Sequence, residues 1–261
     1  MDRAEVKQWA RAAHARAAYW ERQVLARVPD AWTCLDEKRR DGRREVDWPD
    51  WCLLPMAAPA ALVQERFLPP NWVAVLAALY AWQHSRSVWL VKPTLSTRLL
   101  EQVPDAIGID DLATLPEWCI YLPTELPEHG GLWIHLEYDV ATGRPELRLL
   151  LDTGGSTVEG LLPVTVYLDR PTLTEALADW RATTGALIAA GLRPGLDIHG
   201  GELDAGVARL ADHLDGYVSI ARYLARPEAD IVCLDRPGLT PKRPRRRVRD
   251  RQAWWVGSRV T

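Results

Sequence analysis

The amino-acid sequence predicts an α+β fold with N-terminal helices, a central antiparallel sheet of about four to six strands, two covering helices and a basic C-terminal tail. Two observations predict this class. Apolar residues recur at helical spacing towards both ends of the 261-residue chain, and they alternate at strand spacing in its middle. We expect a single domain over residues 1–240, helical to about residue 85, followed by a tail at 241–261.

The composition is that of a globular protein, because 48% of the residues are hydrophobic and 26% are charged. No apolar run approaches the roughly 18 residues that cross a bilayer, and the charged N-terminal segment is unlike a secretory signal. We therefore expect no membrane contact and a cytoplasmic location. The four cysteines form no C-x-x-C pair, which argues against a zinc ribbon or a redox motif. Neither a metal nor a cofactor is expected.

The N-terminal third is predicted to be helical. Apolar residues recur every three or four positions between Val6 and Val28, as on one side of a long amphipathic helix. Two shorter helices are expected at 57–67 and 71–84, separated by two prolines. The charged stretch at 33–50 contains a glycine and predicts an exposed loop.

The middle of the chain is predicted to form the sheet. Short runs rich in branched or aromatic residues lie at 87–91, 118–122, 131–139, 145–152 and 163–169. The third run alternates cleanly, with apolar residues on one face and Trp133, His135, Glu137 and Asp139 on the other. This pattern indicates a half-buried antiparallel strand, and the short connection that follows predicts a hairpin.

Helical spacing returns after the sheet. Thr172 and Glu175 form a T-x-x-E capping box, which predicts a helix from there to about residue 190. A last helix is expected at about 202–225. We expect both helices to cover the sheet.

Two patterns suggest catalysis. The sequence LLLDTGGS at 149–156 is an apolar strand that runs into Asp-Thr-Gly, the arrangement in which aspartic proteases carry their catalytic carboxylate, here Asp152. Those enzymes need two such carboxylates, and the chain has no second D-T-G. His135, Glu137, Asp139, Asp152 and Asp169 would suit a metal-dependent endoribonuclease if they converged on one cation. The same residues are also typical of a turn and of the polar face of a strand. We prefer this structural interpretation, in which none of them is catalytic.

The C-terminal tail is strongly basic. Between residues 242 and 251 it carries seven cations and one acid, so the rest of the chain has a net negative charge within the formal total of −3. Two adjacent tryptophans follow these cations. Guanidinium groups can bind the phosphates of RNA, and indole rings can stack on its unpaired bases. A solvated arm, or an arm folded against the acidic body, is the alternative. The candidate nucleic-acid-binding residues are Lys242, Arg243, Arg245, Arg246, Arg247, Arg249, Arg251, Trp254 and Trp255.

Five ordered blocks resemble a known family. They are LPEWCIY at 115–121, GLW at 131–133, LDT at 151–153, LARPEADI at 224–231, and the Arg-Pro-rich tail running into Trp254 and Trp255. In these blocks the chain resembles type V-A anti-CRISPR proteins of the family that prevents biogenesis of the CRISPR effector nuclease. The resemblance implies recognition of the nuclease's N-terminal peptide as it leaves the ribosome, followed by loss of the encoding mRNA.

Because no motif strongly resembles a nuclease site, we expect a non-catalytic binding protein, with mRNA loss carried out by a recruited host ribonuclease. The candidates for an aromatic groove on the central sheet that binds the nascent peptide are Trp118, Tyr121 and Trp133, and the alternative is that they belong to the core. The basic tail would attach the protein to the ribosome or the message. The alternatives are an endoribonuclease acting on the message itself and a plasmid-borne regulator that binds nucleic acid.

Overall fold

The structure is a computed structural model that describes residues 1–102, 106–123, 130–189, 214–236, 238–243 and 251–257. It confirms the α+β class, with N-terminal helices and a four-stranded antiparallel sheet, and adds a second sheet of three strands. None of the helices in the described ranges combines the length and hydrophobicity needed to span a bilayer.

Helix α1 (Arg3–Arg27) confirms the long amphipathic helix. The side chain of Asp2 accepts from the backbone N–H groups of Ala4 and Glu5, at 2.7 and 2.9 Å, and Glu5 accepts from the backbone of Asp2. This capping box satisfies amide groups that have no partner inside the helix. The buried side, from Val6 to Val24, faces the core.

Helix α2 (Ala31–Glu45) corrects the expectation of an exposed loop at 33–50. Ala31, Trp32 and Leu35 are buried and attach the first turn to the core. The remainder is rich in Glu, Lys and Arg, which are good helix formers even where they are fully solvated. A charged segment continuing from one buried turn can therefore remain helical.

Helices α3 (Ala57–Glu65) and α4 (Trp72–Trp82) confirm the two shorter helices. Helix α4 is apolar on all sides and contacts α1, α2, α3 and the four-stranded sheet. It is the central element between the N-terminal helices and that sheet.

The four-stranded sheet has the order β2 (Cys119–Leu122), β3 (Gly131–Asp139), β4 (Arg144–Asp152) and β5 (Leu161–Tyr167), all antiparallel. The predicted hairpin joins β3 to β4, and its Gly143 has a φ of 73°. Such a left-handed conformation favours glycine.

The small sheet has the order β1 (Ser87–Val91), β7 (Gln252–Val256) and β6 (Ile231–Cys233). Strand β7 pairs parallel with β1 and antiparallel with β6. Residues 252–256 are thus part of the fold, which corrects the expected boundary of a tail beginning at 241 for this segment.

Both faces of the four-stranded sheet are covered. One face, with Tyr121, Trp133 and Leu150, packs into the core built by α1 to α4. The other carries the alternating leucines, isoleucines and valines and packs under the C-terminal helices. The strand that we expected to be half-buried is therefore buried on both faces for most of its length.

The C-terminal covering helices are confirmed where the chain is described. Helix α7 (Leu173–Ala189) follows Thr172, whose Oγ1 accepts from the backbone of Glu175 at 3.2 Å. The last helix, α8, is described at 214–224, and its expected beginning lies outside the described residues. Short helices α5 (Pro93–Leu100) and α6 (Ile109–Leu112) connect β1 to β2.

Candidate functional site

The LPEWCIY block surrounds a buried carboxylate. Glu117 is 2% exposed and accepts hydrogen bonds from Trp89 Nε1 at 3.1 Å, from Trp254 Nε1 at 3.0 Å and from the Ser87 hydroxyl. Trp89 lies on β1 and Trp254 on β7. Glu117 thus joins the segment before β2 to both strands of the parallel pair.

Burial raises the pKa of Glu117 to about 7, and the hydroxyl and indole donors oppose that rise. Desolvation dominates because a carboxylate loses its water shell in the interior. The side chain faces the inside of the protein rather than a cleft, so its contacts describe a structural connection. This accounts for a glutamate inside the LPEWCIY block.

The LDT block also has a structural role. Asp152 is fully buried and accepts four hydrogen bonds, from Arg16 Nε at 2.6 Å, Arg16 Nη2 at 2.7 Å, Trp20 Nε1 at 2.7 Å and the backbone N–H of Gly154 at 3.0 Å. These bonds connect the end of β4 to α1. With this set of donors, the carboxylate is not available as a protease nucleophile or base.

The polar face of β3 is buried as well. His135 Nε2 lies 3.2 Å from Glu137 Oε1, and both side chains are about 2% exposed. Burial raises the pKa of Glu137. On the adjacent β4, Glu146 accepts from Arg148. Within the described ranges, no group of three His, Cys, Asp or Glu side chains is arranged to hold a metal ion.

Two of the three aromatic residues expected to bind a peptide are in the core. Tyr121 and Trp133 are 0% exposed, with ring centroids 4.5 Å apart, which corrects their assignment to an open groove. The physical reason is that α1 and α4 cover this sheet face. Trp118 is half-buried, and its ring lies under the guanidinium of Arg243, 5.3 Å from the centroid.

The expected nucleic-acid-binding residues separate into three groups. Trp254 and Trp255 are 1% and 3% exposed inside β7, which corrects their assignment as stacking platforms for bases. Lys242 and Arg251 are exposed, whereas Arg243 is half-buried. The remaining four arginines lie outside the described residues: Arg245, Arg246, Arg247 and Arg249.

A cationic cleft lies where three of the five blocks meet. Its volume is about 550 Å³, and it is lined by parts of LPEWCIY (Leu115, Pro116), of LARPEADI (224–227, 229 and 231) and of the segment 239–243. Arg226, Lys242 and Arg243 supply positive charge, and no carboxylate occurs among the described residues that line it.

Two hydrogen bonds hold the walls of the cationic cleft together. Thr114 Oγ1 donates to the carbonyl of Ala225 at 2.7 Å, and Arg243 Nη2 donates to the carbonyl of Ala113 at 2.7 Å. Burial lowers the pKa of Arg243 to about 10, so its guanidinium remains charged at neutral pH.

A second open cavity lies between α2 and α3, with a volume of about 490 Å³. We call it the α2/α3 groove. Its floor includes Trp48, Leu54 and Pro55, and its rim carries four carboxylates: Glu37, Asp41, Glu45 and Glu65. The sequence does not predict this groove, because the charged segment that forms α2 resembles an exposed loop. Oppositely charged residues at helical spacing, Asp36 with Arg40 and Asp41 with Arg44, are the signal that could have revealed a helix there.

Comparisons with known proteins first define the fold. The crystal structure of AcrVA2 matches this chain with a TM-score of 0.57 and 16% sequence identity, covering 94% of this chain and 83% of that chain. At this identity the likeness concerns the fold. The sequence model of the AcrVA2-like family, described as anti-CRISPR type V subtype A2, matches residues 89–261. The chain therefore belongs to this anti-CRISPR family, and no curated protein matches it.

Proposed function

We propose that this protein inhibits type V-A CRISPR immunity in the cytoplasm by recognising the nascent N-terminal peptide of the effector nuclease and triggering loss of its mRNA through a recruited host ribonuclease. The observation that carries the proposal is membership of the AcrVA2-like anti-CRISPR family over residues 89–261. That match includes all five blocks in which the sequence resembles the family.

The contacts of the candidate catalytic residues favour binding over catalysis. Asp152 is used to attach α1, and Glu137 lies buried beside His135. A metal-dependent nuclease would need carboxylates that converge on an open position. Asp139 instead accepts from Ala141 and Thr142 in the β3–β4 turn, and Asp169 accepts from Arg144.

The cationic cleft supports attachment to RNA. Three cations on partly apolar walls can pair with phosphates while a base or sugar packs beside them. In the sequence, Arg243 is followed closely by further arginines that would extend the same charge. We place the contact with the message or the ribosome at this cleft and the adjoining basic segment.

The proposal is tested with purified, stalled ribosomes that display either the N-terminal segment of a type V-A effector or a scrambled version of that segment. The protein should co-sediment with the first complex and much less with the second. Equal recovery with both would contradict peptide recognition. As a test of the alternative, degradation of the message by purified protein with Mg²⁺ or Mn²⁺, without ribosomes or host factors, would support a nuclease.

A further inference from the structure

The α2/α3 groove combines an apolar floor with an acidic rim. Helix α3 presents Ala57, Ala58 and Ala61 to it, and their short side chains leave space against α2. The floor is firm, because the Trp48 indole donates to the carbonyl of Cys52 at 3.1 Å and stacks under the Arg43 guanidinium at 4.0 Å. A preformed cavity of this volume is in the usual range for a binding site.

The rim charges form a row along α2. Glu37, Asp41 and Glu45 are four residues apart, so at 1.5 Å per residue the row is about 12 Å long. Lys38 of α2 pairs with Glu65 of α3 at 2.5 Å. Among the residues that the structure describes, neither Glu37 nor Glu45 has an ion-pair partner, and Asp41 has only an exposed contact with Arg44 at 3.5 Å.

Such a row destabilises the free helix, because like charges four residues apart repel by roughly 0.2–0.5 kcal/mol per pair. A bound cation would relieve that repulsion. The phosphates of RNA would add to this repulsion, so the net negative rim favours a basic ligand over a nucleic acid. The row also matches about four residues of extended peptide at roughly 3.3 Å each.

We propose that the α2/α3 groove binds the N-terminal segment of the nascent effector, placing an apolar side chain on the Trp48 floor and Lys or Arg side chains against the acidic rim. This inference rests on the proposed function and identifies the chemistry of its partner. It assigns peptide recognition to the N-terminal helices and leaves the cationic cleft for RNA. The two surfaces then select ligands of opposite charge.

Fluorescence anisotropy tests this with the full chain and a labelled peptide of the effector's N-terminal segment. The rim variant Glu37→Gln/Glu45→Gln should bind about tenfold more weakly than wild type, equivalent to about 1.4 kcal/mol. The control variant Glu101→Gln/Glu228→Gln removes two exposed carboxylates elsewhere and should bind as wild type does. Replacing Lys and Arg of the peptide with Gln should weaken wild-type binding, and this loss should shrink at high salt.

A second variant tests the apolar floor. Ala61→Trp fills the groove and should abolish peptide binding, whereas Ala12→Trp, at an exposed position on α1, should not. Melting temperatures close to wild type would show that both variants are folded. Unchanged peptide affinity in both the rim variant and folded Ala61→Trp overturns the groove assignment.

The outcomes separate this inference from the proposed function. If wild type binds the effector peptide but not its scrambled version, and the groove variants bind equally well, the function stands and the groove assignment fails. If wild type binds no effector peptide and shows no preference among ribosomes with different nascent chains, the proposed function fails and the groove assignment fails with it. Concentration-dependent self-association that is lost in the rim variant, with peptide affinity unchanged, would assign the groove to a second copy and overturn the inference.

Discussion

Replacing Glu117 with glutamine should change how the stability of the protein depends on pH. The carboxylate accepts two indole N–H groups and one hydroxyl, one indole on each oxygen. The glutamine amide has one acceptor oxygen, so it can accept from only one of the two indoles. In either orientation its NH₂ group would face the other indole N–H, and two donors would then lie against each other. Glu117→Gln should therefore destabilise the protein at acidic pH, where the native carboxyl is neutral.

The pH dependence follows from the raised pKa of Glu117, which is about 7 in the folded protein against 4.5 for an ordinary glutamate. A group whose pKa is higher in the folded state contributes stability that is fully present below the unfolded pKa and is lost as pH rises through the folded pKa. At 1.36 kcal/mol per pKa unit, this difference corresponds to about 3 kcal/mol. Glutamine does not titrate and has no such contribution.

Urea denaturation of wild type and Glu117→Gln between pH 5 and pH 8 measures the effect. The stability advantage of wild type over the variant should shrink by up to about 3 kcal/mol across this range. Glu101→Gln, which removes an exposed carboxylate, should leave the pH profile unchanged. A constant gap between wild type and Glu117→Gln from pH 5 to pH 8 would refute the account of Glu117 as a desolvated acid.

Three further changes test two structural assignments and the proposed contact with RNA. Asp152→Asn should lower the free energy of unfolding, measured by chemical denaturation, by about 2–3 kcal/mol. The loss is smaller than for a fully buried ion pair because Arg16 keeps some solvent contact. A loss below about 0.5 kcal/mol would contradict the role of Asp152 in attaching α1. Trp133→Ala should cost about 3–5 kcal/mol, whereas Phe67→Ala, at a side chain 93% exposed, should change melting little; a stable Trp133→Ala would place that indole outside the core. Changing four arginines to glutamine should reduce the salt slope of RNA binding by about 3, and an unchanged slope would exclude them from the interface; they are Arg245, Arg246, Arg247 and Arg249.

The sequence predicts the regular elements well where one pattern dominates. The spacing between Val6 and Val28 identifies α1, and the T-x-x-E box identifies the start of α7. These elements follow from local rules of capping and periodicity, which need no knowledge of the rest of the fold.

The environment of a strand face is not a local property. The alternation in β3 correctly separates Trp133, His135 and Glu137 from the apolar face, yet both faces are buried because α4 covers the polar one. The same limitation hides the role of Asp152, whose partners on α1 are more than 130 residues away. A carboxylate in a turn motif and a carboxylate that anchors a distant helix look alike in sequence.

The C-terminal indoles show the strongest effect of tertiary context. Beside an arginine run, Trp254 and Trp255 suggest base stacking, but β7 pairs with β1, more than 150 residues earlier in the chain, and buries both rings. Among the tail residues that the structure describes, Lys242 and Arg243 line the cationic cleft. The groove on α2 and α3 needed the spatial pairing of two helices and could not be read from either one.

The central claim is that inhibition depends on the peptide encoded at the start of the effector gene. It is tested by measuring reporter mRNA in cells that express this protein, with the effector's N-terminal codons native, synonymously recoded, or shifted in frame by compensating single-nucleotide changes. The native and recoded messages should be lost to the same extent, and the frame-shifted message should persist. Equal loss of the frame-shifted message, or persistence of the recoded one, would show that the nucleotide sequence is recognised instead and would contradict the account.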